Sequence, residues 1–143
     1  MDSMRSVLLA FDGSEPSKRA LRYLLSFIEE REAVTVHLVK VEPKSSAPDT
    51  RGPGEAAIDE HLQAVARQTL LEAEITLGDA GIGYQSHACV GEVAETISAT
   101  ADKLGCDIIV LGRRGLSAVT GLLLGAVAAR VLNLSSRPVM LVK

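Results

Sequence analysis

Five short runs rich in Val, Ile and Leu recur along the chain, at Ser6–Phe11, Val34–Val41, Gly83–Cys89, Asp107–Leu111 and Pro138–Val142, separated by segments of helical periodicity. Three of them do not alternate apolar with polar residues: Val7-Leu8-Leu9-Ala10, Ile108-Ile109-Val110-Leu111 and Val139-Met140-Leu141-Val142. A strand that is apolar on both faces must be covered on both, the condition of a parallel sheet between layers of helices. With right-handed crossovers, the strand-helix alternation predicts an α/β domain built on a doubly wound five-stranded parallel sheet, Rossmann-like or flavodoxin-like, with helices on both faces.

The helical segments carry their own signals. Ser14 or Glu15 opens the first, with Pro16 early, where its missing N–H costs nothing. Leu21, Leu24, Leu25 and Ile28 then form one apolar face. Ile58, Leu62, Val65, Thr69 and Ala73 predict the face of the second helix, closed by Gly78 to Gly83. The third carries Val93, Ile97, Ala101 and Leu104 and stops at Gly105, and the fourth carries Ala128, Val131 and Leu132 and stops near Ser135 and Ser136. The stretch from Glu42 to Gly54, rich in Pro, Gly and Ser, reads as a long loop after the second strand. At 143 residues the whole chain, 1–143, is expected to be a single domain.

Composition narrows the function. A net charge of -3 gives no basic field for nucleic acid or an anionic membrane, so neither is an expected partner. The uncharged run Leu116–Ala129 is shorter than the ~20 apolar residues that span a bilayer, and Arg113, Arg114 and Arg130 bracket it. The N-terminal residues lack the long apolar region of a signal peptide, and two cysteines, Cys89 and Cys106, are too sparse for a disulfide scaffold, so a cytoplasmic location is expected. His37, His61 and His87 show no ligand or triad spacing, and no metal site is expected from protein side chains. With no Trp, two Tyr and two Phe, the core must be aliphatic.

In an open parallel sheet, ligands bind beyond the carboxyl ends of the strands, where the connections reverse direction. The segments there are Asp12-Gly13-Ser14, Val41-Glu42-Pro43, Val90-Gly91-Glu92 and Gly112-Arg113-Arg114-Gly115. The last is the most informative. Two glycines three apart let the backbone turn sharply and approach a ligand, and the N–H groups of such a turn can cradle an anion. Gly125 follows Gly115 after nine residues and precedes the fourth helix, whose N-terminus suits phosphate. Spacing alone equally fits a tight strand-to-helix connection, and the structural alternative for Asp12 is a cap on the first helix.

Gly112-x-x-Gly115, nine residues and Gly125, together with the opening Val7 to Ser14, the Asp107–Gly112 strand and the terminal Arg137 to Val142, resembles the universal stress protein family along the whole chain. The resemblance implies strand order 3-2-1-4-5 and an adenine-nucleotide site. Asp12 would bond the ribose or adenine end, the Val41 backbone would contact adenine, and Gly112 and Gly115 would wrap the phosphates with Arg114 near them. Gly125 and the N–H groups of Ala126 and Val127 would receive the outer phosphates, and Ala10 and Leu111 complete the set. ATP-binding members have Ser or Thr where this chain has Ala126, and a lost hydrogen bond to a charged group is worth about 1.5–3 kcal/mol.

The implied ligand is ATP, ADP or AMP, with Mg2+ or Mn2+ held only through the phosphates. The segment from Gly112 to Gly125 contains no Asp, Glu, His or Gln to position water, so hydrolysis is expected to be very slow at most and the protein is expected to be a binder rather than an enzyme. The family also implies a homodimer through Val139–Val142, whose apolar edge would otherwise stay open. The alternative is a nucleotide-independent member acting as a dimeric interaction module.

Overall fold

The computed structural model describes residues 5–28, 33–44, 54–113 and 125–143. In chain order these form β1 (Ser6–Ala10), α1 (Glu15–Ile28), β2 (Thr35–Glu42), α2 (Glu55–Asp79), β3 (Tyr84–Val90), α3 (Val93–Leu104), β4 (Ile108–Gly112), α4 (Ala126–Leu134) and β5 (Val139–Val142). The sheet runs β3-β2-β1-β4-β5 with every pair parallel, the topology the alternation and the resemblance predict. β2, β3 and β4 begin and end one residue later than expected, and β1 ends at Ala10 rather than Phe11. β5 begins at Val139 because Pro138 has no N–H for the ladder; its carbonyl still accepts the Ile109 N–H at 2.9 Å. The loop expected at 42–54 falls mostly at 45–53, and the apolar run 116–129 falls mostly at 116–124, both outside the described residues.

The sheet divides two cores. Val7, Leu9, Phe11, Val36 and Leu38 pack on one face against Ala20, Leu21, Leu24 and Ile28 of α1 and Leu70, Ala73 and Leu77 of α2. On the other face Leu8, Val39, Val41, Ile109 and Leu111 meet Ala94, Ile97 and Ala101 of α3 and Ala128 and Val131 of α4. Both clusters are almost wholly aliphatic, and Phe11 alone puts a fully buried ring into them.

Two predicted faces need correction. In α2 the buried stripe is Leu62, Ala66, Leu70, Ala73 and Leu77, while Val65 is 37% exposed and Thr69 only half-buried. The small Ala66 and Ala73 let α2 sit close on the sheet, and that favours their side of the helix over the bulkier Val65. In α4 Leu132 is exposed and Ala128 and Val131 carry the packing. Among the described residues no helix is long and apolar enough to cross a membrane.

Candidate functional site

β1 has β2 on one side and β4 on the other, so the chain leaves it in one direction and returns in the opposite one. This is the switch point of a doubly wound sheet, and a crevice must open above it. A cleft of about 240 Å³ lies there, at the carboxyl ends of β1, β2 and β4. Its walls include Ala10, Phe11 and Asp12 after β1, Val39, Lys40, Val41 and Pro43 along and after β2, Leu111 and Gly112 of β4, Val93 and Ile97 of α3, and Gly125, Val127 and Ala128 at the start of α4.

Of the residues singled out from sequence, Ala10, Asp12, Val41, Leu111, Gly112, Gly125 and Val127 therefore converge on one cavity. Ala126 is exposed as the first residue of α4, between two residues of the wall. Arg114 and Gly115 lie outside the described residues. Ser14, Pro16, Ser17, Val39, Lys40, Pro43, Val93, Ile97 and Ala128 also line the cleft and were not expected. Val39, Val93, Ile97 and Ala128 are apolar residues that a sequence pattern assigns to the core; Lys40 is a cation inside an apolar strand, and that interruption was the visible signal.

Asp12 is anchored by its own turn. Its Oδ1 accepts the Ser14 N–H at 2.9 Å and the Ser14 hydroxyl, while the Ser17 hydroxyl donates to the Ser14 carbonyl at 2.9 Å. Asp12 thus organises the entry to α1 and also lines the cleft. Burial opposes its charge, but the Ser14 hydroxyl and N–H, Ser17 and the Lys40 ammonium outweigh burial and hold its carboxyl below the usual range. It is an anion at neutral pH, able to accept two hydroxyl donors.

The start of α4 supplies the opposite character. Gly125 caps the helix at φ 89°, ψ 149°, a backbone region that side chains with a Cβ avoid, and its carbonyl accepts the Ala129 N–H at 3.1 Å. The N–H groups that follow have no partner within the helix. α1, α2 and α3 carry Glu15, Glu55 and Glu95 in their first turns, whereas α4 has no acid there, so its positive end is not neutralised from within.

Gly112 has a structural role that its expected place in a phosphate loop did not suggest. A Cβ built on it would lie 2.1 Å from the Pro16 carbonyl oxygen and 2.8 Å from the Ser17 nitrogen. The missing side chain lets the first turn of α1 cross directly over the end of β4. Just beyond, the Arg113 N–H donates to the Val142 carbonyl at 2.7 Å and the Arg113 carbonyl accepts from Arg19 Nη2 at 3.2 Å, fixing where the loop departs.

Two histidines are brought together, away from the cleft. Register places Val39 beside His87, so His37 and His87 share a face, and His37 Nδ1 lies 3.1 Å from His87 Nε2. Burial pushes both imidazoles below the ordinary value of 6.5, and around His87 the neighbouring His37 and Lys103 add to it. The unfolded chain binds these protons more readily than the folded one. Their contribution to stability is therefore complete above pH 6.5 and is lost as pH falls from there through the lower folded values. We expect the thermal midpoint to drop between pH 7 and pH 5, and the drop to be flattened in a His37→Gln/His87→Gln variant; an equal drop in both proteins would contradict this. Cys89 on β3 and Cys106 before β4 are separated by two intervening strands and are free thiols.

Three comparisons with known proteins agree with this architecture. A family model described as the universal stress protein family matches residues 4–143. A curated universal stress protein of Thermus aquaticus is 32% identical over 97% of this chain and 98% of its own. Among solved structures, protein MJ0577 of Methanocaldococcus jannaschii superposes with a TM-score of 0.80 at 27% identity, covering 98% of this chain and 96% of that one. A universal stress protein family protein of Arabidopsis thaliana, solved with AMP bound, shares the fold at a TM-score of 0.69 and 20% identity, covering 96% and 90% of the two chains.

Proposed function

Since the chain belongs to the universal stress protein family, we propose that it binds ATP or a related adenine nucleotide in the cleft above β1 and β4, and acts through that binding rather than through turnover. The observation that carries the reading is the polarity of one cavity. Because the strands run β2-β1-β4, Val39, Val41 and Pro43 line the β2 side of the cleft, Asp12 stands above the central β1, and Gly112 lies on the β4 side; Val93 and Ile97 of α3 add apolar wall, and Gly125 brings in the unneutralised start of α4. A flat heterocycle, a ribose with two hydroxyls and a phosphate tail match those three parts in order. A protein of the same fold carries AMP, which supports the same reading.

Among the described residues no group of three or more His, Cys, Asp or Glu could hold a metal ion. A Mg2+ or Mn2+ accompanying the nucleotide would be held by phosphates and water, and the glycine-bearing segment 112–125 offers no proton acceptor to drive hydrolysis. We further propose a homodimer through β5. Among the described residues that strand pairs only with β4, and Val139, Met140 and Leu141 are half-buried, with Leu132 and Leu134 exposed on α4. Light scattering that returns a monomer at micromolar concentration would oppose it. The free thiols Cys89 and Cys106 suit the cytoplasmic location we propose.

The nucleotide reading is tested by denaturing the purified protein and chromatographing what it releases. Adenine nucleotide is the expected product. The Ala126→Ser variant adds a hydroxyl donor at the first residue of α4 and should bind ATP about tenfold to a hundredfold more tightly, the equivalent of about 1.5–3 kcal/mol. Unchanged affinity would show that the outer phosphates do not reach this helix.

A further inference from the structure

β2 outruns β1, and this leaves one backbone carbonyl facing the cleft. The Phe11 N–H donates to the Val39 carbonyl at 2.9 Å, whereas the Gly91 N–H donates to the Glu42 carbonyl on the opposite side of the strand at 3.1 Å. Peptide groups alternate sides along a strand, so Val41 turns its carbonyl to the β1 side, past the last bond of that ladder. There it accepts the Lys40 ammonium at 2.9 Å. The same ammonium lies 3.0 Å from Glu42 Oε2, and the two side chains are 14% and 16% exposed. Lys40 and Val41 both line the β2 side of the cleft.

A bare carbonyl there would select a base edge that presents an amino group. With the ammonium seated on it, that side of the cleft donates instead. A carbonyl on the base can accept from Lys40 directly, whereas an amino group must first displace the ammonium and leave it to Glu42 alone. Resting on the nucleotide reading above, we infer that Lys40 is a specificity-determining residue of this site, which widens it from 6-aminopurine nucleotides toward 6-oxopurine nucleotides. Glu42 is its positioning partner: it holds the ammonium over the Val41 carbonyl and balances a charge that burial would otherwise penalise. The polar atom presented to the base is thus set by a side chain rather than by the strand.

The test is calorimetry with two ligands that differ only in the base edge: ADP, with an amino group at C6, and inosine diphosphate, with a carbonyl at C6 and a proton at N1. Wild-type protein is expected to bind inosine diphosphate at least as tightly as ADP. Lys40→Met should shift the ratio of the two affinities toward ADP by about tenfold or more, the size of one hydrogen bond to a charged group. The Lys40→Met/Glu42→Gln double variant leaves no unpaired carboxylate and should shift it equally, which guards against a folding defect in the single variant. A ratio unchanged within about threefold in both variants overturns the role of Lys40 while leaving the nucleotide site standing. If wild-type protein binds neither ligand, the nucleotide reading itself falls and the role of Lys40 falls with it.

Discussion

Replacing Gly112 with alanine should lower the thermal midpoint by roughly 10 °C, more than any conservative surface change. The new Cβ would stand 2.1 Å from the Pro16 carbonyl oxygen, 2.3 Å from the Pro16 carbonyl carbon and 2.8 Å from the Ser17 nitrogen. All three are backbone atoms of the first turn of α1, so no side chain can rotate out of the way. The turn itself must retreat by more than an ångström, although Ser17 and Ala20 hold it against the sheet. Overpacking a built core costs about 1–3 kcal/mol and occasionally more, and a clash confined to backbone belongs at the upper end. At about 2–4 °C per kcal/mol for a domain of this size, the expected shift follows. Differential scanning calorimetry of the variant measures it, and a change of less than about 2 °C would mean that α1 sits less tightly on β4 than the structure shows.

Phe11→Ala should destabilise the fold by about 3–5 kcal/mol. Phe11 is 1% exposed, the largest side chain buried to that degree among the described residues, in a core otherwise filled by Val, Leu, Ile and Ala. Short aliphatic neighbours on strands and helices cannot swing into a space of that size, so most of the cavity would persist. Phe11 is also one of the residues lining the cleft, next to Asp12, and its backbone N–H makes the last bond of β1 to β2, so a shift of this segment would disturb both. Loss of stability and loss of ligand affinity should therefore appear together. Ile75→Ala, at a position 63% exposed on α2, should change stability by no more than about 0.5 kcal/mol. Urea denaturation of the two variants compares them directly, and equal midpoints would contradict the core assignment.

The sheet was legible because strands covered on both faces must be apolar throughout, and the unbroken runs in β1, β4 and β5 state that condition plainly. Strand order was carried by the family resemblance, since periodicity does not say which strands are neighbours. The α2 face was misread because apolar residues surround that helix: Leu71 and Ile75 are exposed while the small Ala66 and Ala73 are buried. Size and distance to the sheet decide such a face, and neither is a property of periodicity. The residues of the cleft were found where they follow strands and could be placed by motif. Lys40 was missed because its meaning depends on where β1 ends relative to β2, and the contact of His37 with His87 depends on the register of β2 against β3. Gly112 was found for one reason and proves to have another: the close approach it allows is that of α1.

The proposed nucleotide site is the cleft above β1 and β4, and titration calorimetry tests it most directly. Protein unfolded, freed of any bound small molecule and refolded should take up ADP with saturable heat at one site per chain. Absence of heat up to millimolar ADP, from protein whose circular dichroism shows it refolded, would contradict nucleotide binding in this cleft.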